Sequence, residues 1–248
     1  MSVFSGKTVL VTGANRGIGL ATVRRLLQTG AKKIYAAARR PEALPDFGDA
    51  RVHPLQLDIT NPASIDAAVK TAGEVDILIN NAGTATFNDF LTSPIDSIAS
   101  DLNTNYYGTL NVVRAFAPKF IARGRGTIAN VVSVVGLTSA PIFPGYSASK
   151  AALHSLTQTL RFQLKPSGVD VLGIYPGPID TDMAKDLTFD KASPESTADL
   201  IVKGIENGDT YIFPDPASLW IGSLWEKDGR ALDTALAQSE TAEVEPAE

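Results

Sequence analysis

The sequence predicts an α/β fold: a single domain built on a doubly wound, mostly parallel sheet of seven strands, with helices on both faces. Two observations favour this fold. Short apolar runs alternate with helical patterns almost throughout the 248 residues, and this alternation is typical of a parallel sheet that helices cover on both sides. The connections are also too short to hold a second domain, and no internal repeat occurs.

In the first half of the chain, short apolar runs are separated by helical segments. The β-branched run KTVLVT at 7–12 is typical of a strand buried on both faces. A helix is predicted over 17–29, because its apolar residues recur at helical spacing and Gly30 follows. Another is predicted over 61–72, where an Asn cap precedes a Pro at the first helical position. The other predicted strands of this half are 33–38, 52–58 and 75–80.

The second half continues the alternation. Residues 94–122 are predicted to be largely helical, and 146–165 form a further predicted helix. The predicted strands are 126–133, 169–175 and a weaker one at 210–213.

The last stretch of the chain divides into a helical and a disordered part. Residues 216–237 are predicted to form one or two helices. The side chains expected to pack inward from them are Trp220, Trp225 and Leu232. Residues 239–248 are small and acidic and lack apolar periodicity, so we expect a disordered tail after a domain that spans 1–238.

Composition narrows the classes of function. The net charge is −5 and no basic patch dominates, so a nucleic-acid partner is not expected. The absence of cysteine excludes disulfides and thiol catalysis, and the two histidines, His53 and His154, are interpreted as structural or surface residues, so no metal site is expected. The N-terminus does not resemble a signal peptide, and no apolar run approaches about 18 residues, so we expect a cytoplasmic protein without a membrane segment.

A glycine-rich stretch, TGANRGIG, follows the first strand and opens the next helix. Gly13, Gly17 and Gly19 allow a tight turn and a close approach of the backbone to a pyrophosphate, and the helix N-terminus supplies free N–H groups. The spacing G-x3-G-x-G differs from the common dinucleotide fingerprint, and glycine turns also exist for packing alone. The strand–turn–helix context favours a dinucleotide site.

The end of the second strand indicates which dinucleotide to expect. Folds that prefer NAD place an Asp or Glu here for the ribose 2′-hydroxyl, but this chain has Arg39 and Arg40. Guanidinium groups suit a 2′-phosphate, and Arg16 in the glycine turn is expected to close on the same group. The alternative is that these arginines are only solvated loop charges. The combination favours NADP.

The pentapeptide YSASK places Tyr146 and Lys150 four residues apart. In a helix these side chains lie on one face. A neighbouring cation lowers the pKa of a phenol, which would make Tyr146 a better acid–base group at neutral pH. Because such pairs also occur by chance on solvated helices, the pentapeptide alone leaves a catalytic role open.

Six motifs, in order and at matching spacing, resemble the short-chain dehydrogenase/reductase superfamily over about residues 5 to 215. They are TGANRGIG, NNAG, NTNYYG, NVVSVVG, YSASK and YPGPIDT. The resemblance implies a Rossmann-type fold and an NADP-preferring enzyme similar to carbonyl reductases and alcohol dehydrogenases, which would interconvert a carbonyl substrate and its alcohol.

The resemblance implies a role for each residue that matches. Tyr146 would be the general acid in reduction, Ser133 would hydrogen-bond the substrate carbonyl, Lys150 would bind the nicotinamide ribose and lower the phenol pKa, and Asn105 would hold a water that links Lys150 to solvent. The residues expected to bind the cofactor are Gly13, Asn15, Arg16, Gly17, Ile18, Gly19, Arg39, Arg40, Asp58, Ile59, Asn81, Ala82, Gly83, Tyr146, Lys150, Pro176, Gly177, Ile179 and Thr181.

The expected substrate pocket is apolar. Its predicted walls are Val134, Val135, Leu137, Ile142, Phe143, Met183, Leu187 and Phe189, with Val135, Phe143 and Met183 as the named substrate contacts. No Arg or Lys among them would bind an anion, so we expect a neutral, moderately hydrophobic ketone or aldehyde. The same residues would equally suit a core. A loop at about 178–193 is expected to close over the substrate.

Several alternatives stay open at this point. The C-terminal region GDTYIFPDPAS lacks the Asp-Gly-Gly-like ending of bacterial acyl-carrier-protein ketoreductases, which argues against that substrate and leaves a homodimer, a homotetramer and a monomer all open. A non-catalytic NADP-binding sensor or scaffold is the competing function, although such a protein has no need of all four catalytic-type residues. A sugar-nucleotide epimerase is disfavoured because its extra C-terminal domain is absent.

Overall fold

A computed structural model describes residues 2–188, 190–230 and 232 of the chain. Within them, seven strands form one sheet in the order β3-β2-β1-β4-β5-β6-β7, and every pairing is parallel. The strands are β1 (Thr8–Thr12), β2 (Lys33–Ala38), β3 (Val52–Gln56), β4 (Ile77–Asn80), β5 (Gly126–Val131), β6 (Val169–Ile174) and β7 (Tyr211–Ile212). The predicted doubly wound sheet is confirmed, and all of its strands are parallel.

Helices cover both faces of this sheet. They are α1 (Gly17–Leu26), α2 (Pro62–Thr71), α3 (Ile95–Asp101), α4 (Thr109–Arg123), α5 (Pro144–Leu164), α6 (Pro194–Asn207) and α7 (Pro216–Lys227). Helices α1 and α6 share one hydrophobic core, in which Leu26 and Ile201 are fully buried, whereas α2, α4 and α5 share the other, around Phe116. The strand order reverses between β1 and β4, so the loops that follow these two strands diverge at the edge where open α/β sheets bind ligands.

The long helical region expected over 94–122 is interrupted. Between α3 and α4 the chain makes a π-helical segment, Leu102–Gly108, a wider turn that is frequent at functional sites. Asn105 lies within this segment and is fully buried. The prediction of a helix was right for this region, but periodicity alone did not reveal the wider turn.

The sequence prediction missed α6. Its start carries the same signals as α2, because the Ser193 side chain accepts a hydrogen bond from the Ser196 N–H and Pro194 occupies the first helical position. Its end is marked by Gly208 at φ +74°, a left-handed conformation that favours glycine. These signals were sufficient to find the helix.

The C-terminal region required one correction. Residues Trp220 and Trp225 cannot both face the core, because five residues in an α-helix rotate the side chain by about 140°. Trp220 is 51% exposed, whereas Trp225 packs beside Tyr175 and the fully buried Leu232. The predicted tail at 239–248 lies outside the described residues. Across the described residues, no helix combines the length and apolar character needed to cross a bilayer.

Candidate active site

The loops that leave the carboxyl ends of β1, β4, β5 and β6 surround a cavity of about 570 Å³. This is the edge at which open parallel sheets bind ligands. The predicted catalytic and cofactor residues and the three named substrate contacts line the cavity, except Gly19 and Asn105. The lining residues that the sequence did not single out include Thr84, Ala85, Ser100, Asn103 and Thr104.

At one end of the cavity, the glycine turn packs too tightly for any side chain. A β-carbon on Gly13, which has φ +66°, would lie 2.9 Å from the Ala82 Cα, and one on Gly19 would lie 2.3 Å from the Gly13 carbonyl oxygen. The turn leads into α1 at Gly17, and the first turn of α1 contains no acidic residue. The free N–H groups of the helix N-terminus, with its positive dipole end, therefore face the cavity as an anion site.

Asn81 braces this turn. Its Nδ2 donates to the carbonyl oxygens of Thr12 at 2.9 Å and of Gly13 at 3.2 Å. The Thr12 hydroxyl accepts hydrogen bonds from the N–H groups of Asn81 and Ala82, both at 2.9 Å. Asn81 also lines the cavity. Its side-chain N–H groups, however, are used to hold the loop after β4 against the glycine turn.

The other polar wall lies at the ends of β2 and β3. Arg39 and Arg40 are both exposed and line the cavity, and no ion pair of the described residues includes either of them. The Thr60 hydroxyl hydrogen-bonds the Asp58 carboxylate and, together with the charge of Arg39, holds the pKa of Asp58 below its usual value. This wall therefore offers two guanidinium groups toward the cavity and keeps one carboxylate ionised.

Arg16 makes a contact that the sequence did not suggest. Its guanidinium lies 3.1 Å from the Asp182 carboxylate, and both side chains are largely exposed. Asp182 belongs to the loop after β6, and a bridge between Ile179 and Ala192 closes the base of this loop. Since exposed ion pairs are worth little, this contact leaves Arg16 free to exchange partners.

Ser133 follows β5 in a conformation that L-residues rarely adopt. It is the single non-glycine residue with positive φ in the described part of the chain, at +154°, and such backbone strain clusters at functional sites. Its hydroxyl lies 3.2 Å from the carbonyl oxygen of Pro176 and accepts a hydrogen bond from the Val135 N–H at 3.4 Å. The hydroxyl is thereby held at the floor of the cavity.

Tyr146 and Lys150 lie on the first turns of α5 and both line the cavity. The Lys150 Nζ lies 5.5 Å from the centre of the Tyr146 ring and donates to the carbonyl oxygen of Val131 at 2.8 Å. Burial lowers the pKa of Lys150 to about 7. The expected juxtaposition of phenol and amine on one helical face is present.

The expected depression of the phenol pKa is wrong for this structure. Burial raises the pKa of Tyr146 to about 12, and the hydrogen bond with Ser133 opposes this only in part. The reason is that a phenolate in the cavity would lose its hydration, while the Lys150 ammonium is engaged by a carbonyl oxygen. At neutral pH Tyr146 is therefore a neutral phenol that can donate a proton.

Asn105 connects the loop after β4 to helix α5. Its Nδ2 donates to the Thr84 carbonyl oxygen and to the Ser149 hydroxyl, each at 2.8 Å, and its Oδ1 accepts from the Thr84 N–H at 2.8 Å. Both amide hydrogens are used, so a water between Asn105 and Lys150 would have to bind Oδ1. The predicted water-holding role stays a prediction.

The opposite end of the cavity is apolar. Its lining includes Val134, Val135, Ile142, Phe143, Met183 and Leu187. Of the predicted walls, Leu137 is not among the lining residues and packs instead against a separate hydrophobic cluster with Tyr175. Phe189 lies outside the described residues.

These features fit a nicotinamide dinucleotide. Gly13 and Gly17 present backbone instead of side chains to the cavity, the N-terminus of α1 suits a pyrophosphate, and the hydroxyl, phenol and amine meet at the far end. Such a cofactor would supply or accept a hydride. The chain itself would bind and orient the reactants and move the proton.

Comparisons with known proteins agree with this arrangement. The family model described as short chain dehydrogenase matches residues 7–192. The chain is 35% identical over 216 residues to the oxidoreductase UcpA of Escherichia coli K12, covering 83% of the chain and 82% of UcpA. A short chain dehydrogenase from Burkholderia cenocepacia, solved in complex with NADP, has a TM-score of 0.87 at 34% identity and covers 94% of this chain and 97% of its own. A short chain dehydrogenase/reductase from Burkholderia phymatum, solved with NAD, has a TM-score of 0.82 at 27% identity, with the same coverages of 94% and 97%.

Proposed function

The chain belongs to the short-chain dehydrogenase/reductase family of oxidoreductases, and we propose that it reduces a neutral, moderately hydrophobic ketone or aldehyde with NADPH. The observation that carries the proposal is that one cavity brings three reactive side chains together. Ser133, Tyr146 and Lys150 meet in it between an apolar wall and an anion-binding glycine turn. A binding module would not need a proton donor, a second hydroxyl and a buried amine at one point.

The chemistry follows from where charge develops. When hydride reaches the carbonyl carbon, negative charge grows on the carbonyl oxygen. The hydroxyl of Tyr146 can donate to that oxygen, and the hydroxyl of Ser133 can do so by giving up its hydrogen bond to the Pro176 carbonyl; such preorganised donors lower the barrier. Tyr146 then transfers its proton, an assistance typically worth about 10²–10⁴-fold. The Lys150 ammonium stabilises the phenolate that remains, and the alcohol is oxidised by the same steps in reverse.

The choice of NADPH depends on the wall at the end of β2. Arg39 and Arg40 face the cavity where NAD-preferring folds place an acid. Neighbouring structures do not decide the cofactor, because one was solved with NADP and another with NAD. Two unpaired guanidinium groups match a 2′-phosphate, which accepts forked hydrogen bonds.

We expect Arg39→Ala to raise KM for NADPH by about 10- to 100-fold, since a hydrogen bond to a charged group contributes about 1.5–3 kcal/mol. The KM for NADH should change little, because NADH lacks the 2′-phosphate. Initial rates with both cofactors give the ratio of the KM for NADPH to the KM for NADH. Arg114→Ala, at an exposed arginine of α4 that does not line the cavity, is the matched control. If Arg39→Ala leaves the ratio of the two KM values unaltered, the 2′-phosphate is bound elsewhere.

The substrate class follows from the apolar end of the cavity. Phe143 contacts the catalytic tyrosine, with its ring 6.1 Å from that of Tyr146 and 4.7 Å from that of Phe87. Phe87 is 52% exposed and Met183 is 42% exposed. The apolar lining of the cavity therefore includes Phe143 beside the phenol and the partly exposed Met183, and pockets of this kind bind apolar ligands.

A matched pair of ketones tests the substrate class. We expect NADPH oxidation, followed at 340 nm, with an aromatic methyl ketone, and a kcat/KM at least about 10-fold lower when the ring carries a carboxylate, because burial of an unpaired charge is costly. Equal rates for the pair would contradict the apolar pocket. Tight NADPH binding without oxidation by any ketone or aldehyde would favour the non-catalytic sensor instead.

A further inference from the structure

Asp101 is a buried carboxylate that the proposed chemistry does not use. It is the last residue of α3 and is fully buried. Within the described part of the chain, no ion pair includes it. Burial of a carboxylate without a paired cation is costly, so the position calls for a compensating role.

The carboxylate is held by three donors from the loop after β4. Its Oδ1 accepts from the hydroxyls of Thr84 at 2.9 Å and Thr86 at 3.2 Å, and its Oδ2 accepts from the Thr86 N–H at 3.1 Å. An ionised carboxylate has only acceptor sites, so three donors match its charged form. These bonds also fix a loop whose Thr84 lines the cavity.

Asn105, four residues after Asp101, holds the same loop. Asn105 binds both the N–H and the carbonyl of Thr84, and it donates to Ser149, whose hydroxyl donates to the Tyr146 carbonyl oxygen at 2.7 Å. A β-carbon on Gly83 would lie 2.9 Å from the Asn105 Oδ1 and 3.7 Å from the Lys150 Nζ. Asp101 is thus linked through one hydrogen-bond network to the helix that carries the phenol and the amine.

The charge of Asp101 acts on both catalytic groups. Burial is the main cause of the low pKa of Lys150 and of the high pKa of Tyr146, and the negative charge of Asp101 raises the pKa of each. The loop at 84–86 and Asn105, which connect Asp101 to the helix of Tyr146 and Lys150, carry only neutral groups. The other nearby acids, Asp89 and Asp96, are solvent-exposed.

We propose that Asp101 is the buried counter-charge of the active site, a positioning residue that holds the loop at 84–86 against the cavity and, through this loop and Asn105, is coupled to the helix that carries Tyr146 and Lys150. The proposal rests on the function proposed above for Tyr146 and Lys150. Its consequence is that the pH range for reduction is set in part by a residue that touches neither substrate nor cofactor.

The pH profile of Asp101→Asn tests this inference. Without the negative charge the ammonium loses a stabilising partner and the phenolate loses a repelling one, so the pKa of each group falls. Reduction needs both groups protonated, and the alkaline limb of kcat/KM should therefore move to lower pH by about one unit. Asp101→Glu, which keeps the charge, should restore the limb. Thr86→Val, which removes one hydrogen bond and keeps the charge, should leave the limb in place.

A second measurement separates this inference from the proposed function. In the cofactor-free protein, NMR of ¹³C-labelled lysine side chains, with Lys150 assigned by Lys150→Met, follows the titration of the amine directly. We expect a lower midpoint in Asp101→Asn than in the wild type, and an unchanged midpoint would overturn the inference whatever the turnover. If the Lys150 midpoint falls as expected in Asp101→Asn but the wild-type protein reduces no carbonyl, the result would count against the proposed function alone. If Asp101→Asn does not fold, Asp101→Ser, whose smaller side chain admits water, makes the same comparison.

Discussion

Replacing Tyr146 by phenylalanine is expected to lower kcat for carbonyl reduction by about 10²–10⁴-fold and to leave the dissociation constant for NADPH within about 3-fold of the wild-type value. The substitution removes one hydroxyl group and keeps the ring, which contacts Phe143 and lies beside Lys150. The dinucleotide end of the cavity, around the glycine turn, is built from other loops and is unaffected.

The size of this effect follows from the protonation state of the site. Burial keeps Tyr146 protonated at neutral pH, so it is a ready donor for the alkoxide that hydride transfer produces. Ser133 would remain as the only hydroxyl at the carbonyl oxygen, and its hydroxyl is a far weaker acid than a phenol. Loss of kcat with unchanged NADPH binding is the signature of an interaction made only in the transition state.

Steady-state rates and a fluorescence titration with NADPH measure the two quantities. Tyr107→Phe is the matched control, because Tyr107 is 54% exposed and does not line the cavity. Activity in Tyr146→Phe close to that of Tyr107→Phe would show that another group supplies the proton.

The parts of the site that could be predicted from the sequence are those whose residues lie close together along the chain. The bounds of β2 agree at both ends. The cavity is lined by Gly13 and Gly17 of the glycine turn, by the first and last residues of YSASK, and by the arginines after β2. Each is a local pattern in which the residue types and their spacing carry the chemistry. The sheet order then brings the patterns together, because parallel strands present their carboxyl ends at one edge.

The parts that the sequence missed depend on contacts between distant residues. Thr84 and Asp101 are 17 positions apart, and nothing in the local pattern around either residue indicates their hydrogen bond. The direction of the Tyr146 pKa shift depends on how the cavity buries the ring, which spacing along a helix does not report. A resemblance between motifs names the catalytic groups, but only the packing gives the balance of burial and charge that sets their protonation.

Gly19→Ala is expected to raise the dissociation constant for NADPH by about 10²-fold or more and to lower the melting temperature by about 4–10 °C. Alanine favours helix more than glycine by about 1 kcal/mol, so helix propensity alone would predict the opposite change in stability. The new β-carbon, however, would lie 2.3 Å from the Gly13 carbonyl oxygen and 2.4 Å from the Asn81 Nδ2.

Relief of this clash has to displace the turn itself, because the first contact is with backbone and the second is with the side chain that joins the two loops. Gly229→Ala is the matched control: its β-carbon would have Trp225 Cδ1 at 3.9 Å as its nearest neighbour, so both quantities should stay at wild-type values. Calorimetry and a fluorescence titration measure them. If Gly19→Ala lowers the melting temperature yet binds NADPH normally, the glycine turn serves packing alone and the dinucleotide is bound elsewhere.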